Sequence, residues 1–143
     1  MPLFAIETAT AHVARASRGP DVEETRILEV EGRGPDARTC RASLVFSPAV
    51  DAARTVPVGY VTEASDGSLS IVGWLPEAAY PAYRAALAAG GPLRLQFETR
   101  DRGTGYLRRL ALARRDATLV ATGPGRRGAD TGQGQEIAFA MPL

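Results

Sequence analysis

The chain has 143 residues and a formal net charge of +1, from 17 basic and 16 acidic side chains. With 45% hydrophobic and 23% charged residues it is long and apolar enough to bury one core, so it is not disordered overall. One cysteine, Cys40, excludes an internal disulfide, and Cys40 with the single His12 falls short of a His/Cys zinc site. All 17 basic residues are arginine. Schiff-base and P-loop lysine chemistry are therefore absent. The first 15 residues lack a basic segment followed by a long apolar run, so no secretory signal is expected. No apolar run approaches the roughly 18 residues of a membrane helix, and the expected location is cytoplasmic.

Apolar residues alternate with period two along most of the chain, the mark of half-buried strands. Residues 3–14 place Phe4, Ile6, Thr8, Thr10 and His12 on one parity, and residues 22–31 place Leu28 opposite in parity to Glu29 and Glu31. Residues 39–46 align Cys40, Ala42, Leu44 and Phe46; residues 56–63 align Val56, Val58, Tyr60 and Thr62; residues 68–75 align Leu69, Ile71, Gly73 and Leu75. Asp66-Gly67 between the last two runs predicts a hairpin, because Gly and Asp tolerate the positive φ of such turns. The alanine-rich stretch after Pro76 predicts a short turn and then one helix near residues 81–89, with Tyr80, Tyr83 and Leu87 on its apolar face, Trp74 beside them and Gly90 as its cap. Strands then resume. Leu93, Leu95 and Phe97 point inward, Arg94, Gln96 and Glu98 outward. Further strands run over residues 106–113, 118–122 and 135–141, with a flexible Gly/Arg-rich loop at 123–135.

These elements predict a single mainly-β domain over 1–143: an antiparallel sandwich or partly open barrel of about nine short strands with one short helix. The strands containing Phe4 and Phe139 are expected to pair.

Candidate chemistry is sparse. Gly123 to Gly128 has the opening spacing of a phosphate-binding loop, but Ala129 and Asp130 stand where Lys and Ser/Thr are required. A Cys40–His12 nucleophile pair would need a contact that spacing does not supply, and Cys40 has the parity of a small buried hydrophobe. No carboxylate dyad is evident, and no cofactor is implied.

Charge is more informative. Residues 1–90 hold 8 Arg against 11 acidic residues, a net of −3, and residues 91–143 hold 9 Arg against 5, a net of +4. Arg94, Arg100, Arg102, Arg108, Arg114, Arg115, Arg126 and Arg127 are the candidate partner- or anion-binding residues, with Arg108 and Arg109 expected on opposite faces. The reading is a non-catalytic binding or assembly module acting through protein–protein contacts, with self-association as one form. An anion- or nucleic-acid-binding module using the Arg-rich C-terminal half is the alternative, and nucleic acid is not favoured because the aromatics have core parity. An enzyme whose site leaves no sequence motif is the second alternative. No membrane partner is expected.

Overall fold

The structure is a computed structural model, and it describes residues 3–48, 50, 58–99, 105–114, 118–122 and 136–140. Nine strands, β1 (Leu3–Arg18), β2 (Asp21–Arg33), β3 (Thr39–Ser47), β4 (Gly59–Glu63), β5 (Leu69–Pro76), β6 (Leu93–Thr99), β7 (Gly105–Arg114), β8 (Thr118–Thr122) and β9 (Glu136–Ala140), form one sheet. A 3₁₀ turn (Glu77–Ala79) leads into α1 (Tyr80–Ala88). The mainly-β expectation holds, and α1 is the one α-helix among the described residues. The strands run in the order β4-β5-β3-β2-β1-β6-β7-β8-β9, and β4 also pairs with β7. That extra pairing closes all strands but β8 and β9 into a ring. All neighbours are antiparallel except β3 and β5, which run parallel from Cys40↔Leu69 to Ser47↔Pro76.

The alternation read from the sequence sets which side chains fill the ring. Cys40, Ala42, Leu44 and Phe46 of β3, Leu69, Ile71 and Leu75 of β5, and Leu93, Leu95 and Phe97 of β6 are all buried. Phe4, Leu28, Val30, Leu107, Leu110 and Leu112 complete the interior. The core is thus packed with side chains, as in other small barrels. Helix α1 covers one end. Tyr83 is fully buried, and Tyr80 and Tyr83 meet the Phe46 ring edge-on at centroid distances of 5.2 and 5.4 Å. Phe46 takes the anchoring place expected of Trp74, which occupies an outward, half-buried position on β5 between buried Gly73 and Leu75. Pro81 sits in the first turn of α1, where its missing N–H costs nothing, and Gly90 leaves the helix with φ 71°.

The Asp66-Gly67 hairpin joins β4 to β5 as expected. Gly67 N–H donates to the Ala64 carbonyl at 2.9 Å, and Gly67 takes φ 89°. The Asp66 carboxylate accepts from the Ser68 amide at 2.9 Å and from its hydroxyl at 2.7 Å.

Further observations depart from the sequence reading. The β3–β5 pair is parallel where antiparallel strands are expected throughout, and Val58 is buried while Tyr60, expected on the same face, is exposed. β1 and β2 are long, at 16 and 13 residues, and extend past the ring as a two-stranded arm. The terminal strands do not pair: β1 lies between β2 and β6, and Phe139 stands opposite Leu119 in β8. A register shift at Glu98/Thr99 breaks the alternation of β7, so Leu107 and Leu110 are both buried and Arg108 and Arg109 both lie outside the core. The Gly/Arg-rich loop at 123–135 lies outside the described residues.

Two close backbone approaches demand glycine. Gly59 and Gly73 face each other across β4 and β5. A Cβ on Gly59 would overlap the Val72 carbonyl oxygen, and one on Gly73 would lie 2.7 Å from Leu110 Cδ2. Gly32, opposite Ile6 at the β1 register shift, has the Ala5 carbonyl oxygen where its Cβ would be. Gly59→Ala and Gly32→Ala are each expected to lower stability by about 1–3 kcal/mol or more in urea denaturation. Gly73→Ala, whose methyl meets side-chain ends that can yield, should cost less.

The Ser68 hydroxyl and amide hold the Asp66 carboxyl below the usual carboxylate range. A folded-state pKa below the unfolded one stabilises the fold above the unfolded value, and that stabilisation is lost as pH falls through the folded value. Asp66→Ala should therefore reduce stability at neutral pH and flatten its decline in acid, measured by denaturation at a series of pH values.

Candidate binding surfaces

Interior positions are occupied by core side chains, so the surfaces able to act are outside the ring. On the outer face, register places apolar residues side by side. Val72 of β5 is opposite Tyr60 of β4, and Tyr60 is opposite Tyr106 of β7. All three are exposed, at 37%, 38% and 47%, and the two tyrosine rings meet edge-to-face at 4.9 Å. A second outward row, two residues along, runs Ile27, Val45 and Trp74 across β2, β3 and β5, each half-buried. Strands lie about 4.8 Å apart, so this apolar face crosses five strands over roughly 19 Å. Scattered exposed hydrophobics are ordinary, but a contiguous apolar face with aromatics is characteristic of contact surfaces.

The second surface is a seam. β1 pairs with β6 only through Leu3, Phe4 and Ala5. Past that point Gly90-Gly91-Pro92 carries the chain away into α1: both glycines have positive φ, and Pro92 has no N–H to donate. β1 itself continues to Arg18, so among the described residues its outer edge beyond Ala5 has no neighbouring strand. A groove of about 210 Å³ lies beside this edge, lined by residues 9–11 of β1, Leu28, and Arg84, Leu87 and Ala88 of α1. Positions 84, 87 and 88 share one helix face. At the helix start, Arg84 Nη1 donates to the Tyr80 hydroxyl at 3.0 Å, and the Arg26 guanidinium lies 5.1 Å from the Tyr80 ring centroid. Neither arginine has a carboxylate partner among the described residues, whereas Arg15, Arg33, Arg38, Arg41 and Arg108 each do.

The arginines singled out in the sequence are spread along the barrel. Arg108 pairs with Glu98. Arg94 and Arg114 lie at the other end of the β6–β7 pair, where Leu93 is opposite Arg114 and Arg94 opposite Ala113, so the two occupy opposite faces. Arg100, Arg102, Arg115, Arg126 and Arg127 lie outside the described residues. Arg26 and Arg84 were not among the sequence candidates. The Tyr80/Arg84 spacing of four was a visible helical pair, but the approach of Arg26 to Tyr80 is purely tertiary.

Most acidic residues of β2 are already engaged. Glu24 accepts from Arg15 at 2.8 Å, Glu29 lies 3.3 Å from His12 Nε2, and Glu31 accepts from Arg41 at 2.9 Å. His12 is held there, on the outward parity opposite Ile27, while Cys40 is buried opposite Gly32. Five residues of β2 separate those positions, about 16 Å, so the two cannot form a catalytic pair. Among the described residues no group of three His, Cys, Asp or Glu side chains converges as metal ligands would.

No protein-family model, no curated protein and no solved structure matches this chain.

Burial raises the Cys40 thiol above its ordinary pKa, against the smaller opposing pull of Arg38. The thiol donates weakly to the Arg38 carbonyl at 3.8 Å. A raised pKa leaves less thiolate at any given pH, and the thiolate is the nucleophile. Native protein at pH 8 should react with a thiol-specific disulfide reagent far more slowly than protein unfolded in guanidinium.

Proposed function

We propose that this chain is a non-catalytic binding module that works through protein–protein contacts on the outer face of β5, β4 and β7. One observation carries the reading: Val72, Tyr60 and Tyr106 stand in register on three adjacent strands, all exposed, at one end of a wider apolar face. Tyrosine contributes large contact area at small entropic cost and tends to concentrate binding energy. Half-buried Ile27, Val45 and Trp74 extend the contact on one side. Self-association is one form this takes, and a separate partner is the other; both cover the same face.

Replacing Val72 by a photoactivatable benzophenone amino acid tests the reading directly. Irradiation of cells expressing the chain should give discrete protein adducts, to itself or to a partner. Tyr106→Glu should abolish them, and the same probe at exposed Ala78, in the 3₁₀ turn off that face, should give none. Absence of adducts at position 72, or adducts indifferent to Tyr106→Glu, would overturn it.

A further inference from the structure

We propose that the seam beside β1 receives an extended, carboxylate-bearing segment of a partner protein, which adds to the sheet as a strand. This site is separate from the outer apolar face and does not depend on it. Three features of the seam point to a strand. Beyond Ala5 the outer edge of β1 lacks a neighbour among the described residues, so its outward N–H and C=O groups can pair with an incoming backbone. The groove follows that edge, and at about 210 Å³ it lies below the several hundred cubic ångströms of a typical small-molecule pocket. The Arg84, Leu87 and Ala88 face of α1 overhangs the place where the strand would lie, giving alternate side chains a roof of small and apolar groups.

Charge selects the occupant. Among the described residues Arg84 is the charged one lining the groove, the Arg26 guanidinium lies over the ring of the Tyr80 whose hydroxyl Arg84 bonds, and neither arginine has a carboxylate partner there. A glutamate or aspartate on the incoming strand would supply the missing partner, and arginine suits carboxylate pairing. The same test disfavours a second copy of this chain: beyond Ala5 its β1 edge carries one carboxylate, Glu7, which lies 4.0 Å from its own Arg33, alongside His12 and Arg15. The arm is braced for this role by the Arg15–Glu24 and His12–Glu29 pairs across β1 and β2.

The experiment is selection of random 12-residue peptides on the full chain, followed by fluorescence polarisation with the enriched sequences. The peptides should share an acidic residue. N-methylation of alternate peptide amides on one parity should weaken binding about tenfold or more, while methylation on the other parity should not, because only one set of amides faces β1. Arg84→Glu should weaken binding by a similar factor, and Arg84→Lys should retain most of it. Tyr106→Glu, on the outer face, should leave it unchanged, so loss of the outer-face reading and loss of this one are told apart. Failure to enrich any peptide, binding indifferent to N-methylation on both parities or to Arg84→Glu, or a dimer formed through paired β1 edges would each overturn the proposal.

Discussion

Closure of the ring is the constraint from which the rest of the molecule follows. It is made by a short pairing of Gly59, Tyr60 and Val61 with Leu107, Tyr106 and Gly105. That approach is possible because Gly59 and Gly73 carry no Cβ where the backbones of β4 and β5 and the side chains of Leu107 and Leu110 crowd together. Once the ring is closed, the apolar parity of every strand is committed to the interior. Residues of the opposite parity then decide what the protein can touch, and Tyr60 and Tyr106 are brought together by the same few hydrogen bonds that close the barrel. A short seal of the ring and the exposed tyrosine pair therefore share their residues.

The charge distribution reads differently in three dimensions than along the chain. Among the described residues much of the acid over residues 1–90 is engaged: Glu24, Glu29, Glu31 and Glu63 lie beside Arg15, His12, Arg41 and Arg38 respectively. Such exposed pairs contribute little stability, typically under about 1 kcal/mol each. Of these only Arg15–Glu24 lies in the arm, beyond the β2–β3 pairing that ends at Arg26, and there it ties β1 to β2 across a cross-strand pair. The informative charges are those left without a carboxylate among the described residues: Arg26 and Arg84 both contact Tyr80, and Arg84 also lines the groove.

Strand content, the β4–β5 hairpin and the helix were legible because each rests on a local rule: alternation, a turn dipeptide, and alanine followed by glycine. The core residues of β3, β5 and β6 followed from parity alone. What was not legible depends on contacts between distant segments. The parallel β3–β5 pairing, the length of the arm and the separation of the terminal strands are set by which edges meet, and alternation is silent about neighbours. Trp74, expected beside the helix, has the parity of outward Val72. The register shift at Glu98/Thr99 moved Arg108 and Arg109 to the same side of the core, which strict alternation forbids. The seam escaped for a further reason: it consists of a missing neighbour, and a sequence records only the residues that are present.

The shared edge of β7 has a consequence for how the chain acquires its shape. Along one side β7 meets β4 through Gly105, Tyr106 and Leu107 and then meets β8 from Arg109 onward. The partner that completes β4 is thus made long after β4 itself, and the hairpin it belongs to must wait with one edge open. During synthesis, β2 through β5 can assemble into an open sheet, but that sheet has no means of sealing until β7 arrives. Such distant pairings slow folding, because loop closure must precede any contact that rewards it. The strand that finishes the barrel is also the one from which β8 and β9 grow, so the last part of the chain extends a sheet that closes only as that part is being made.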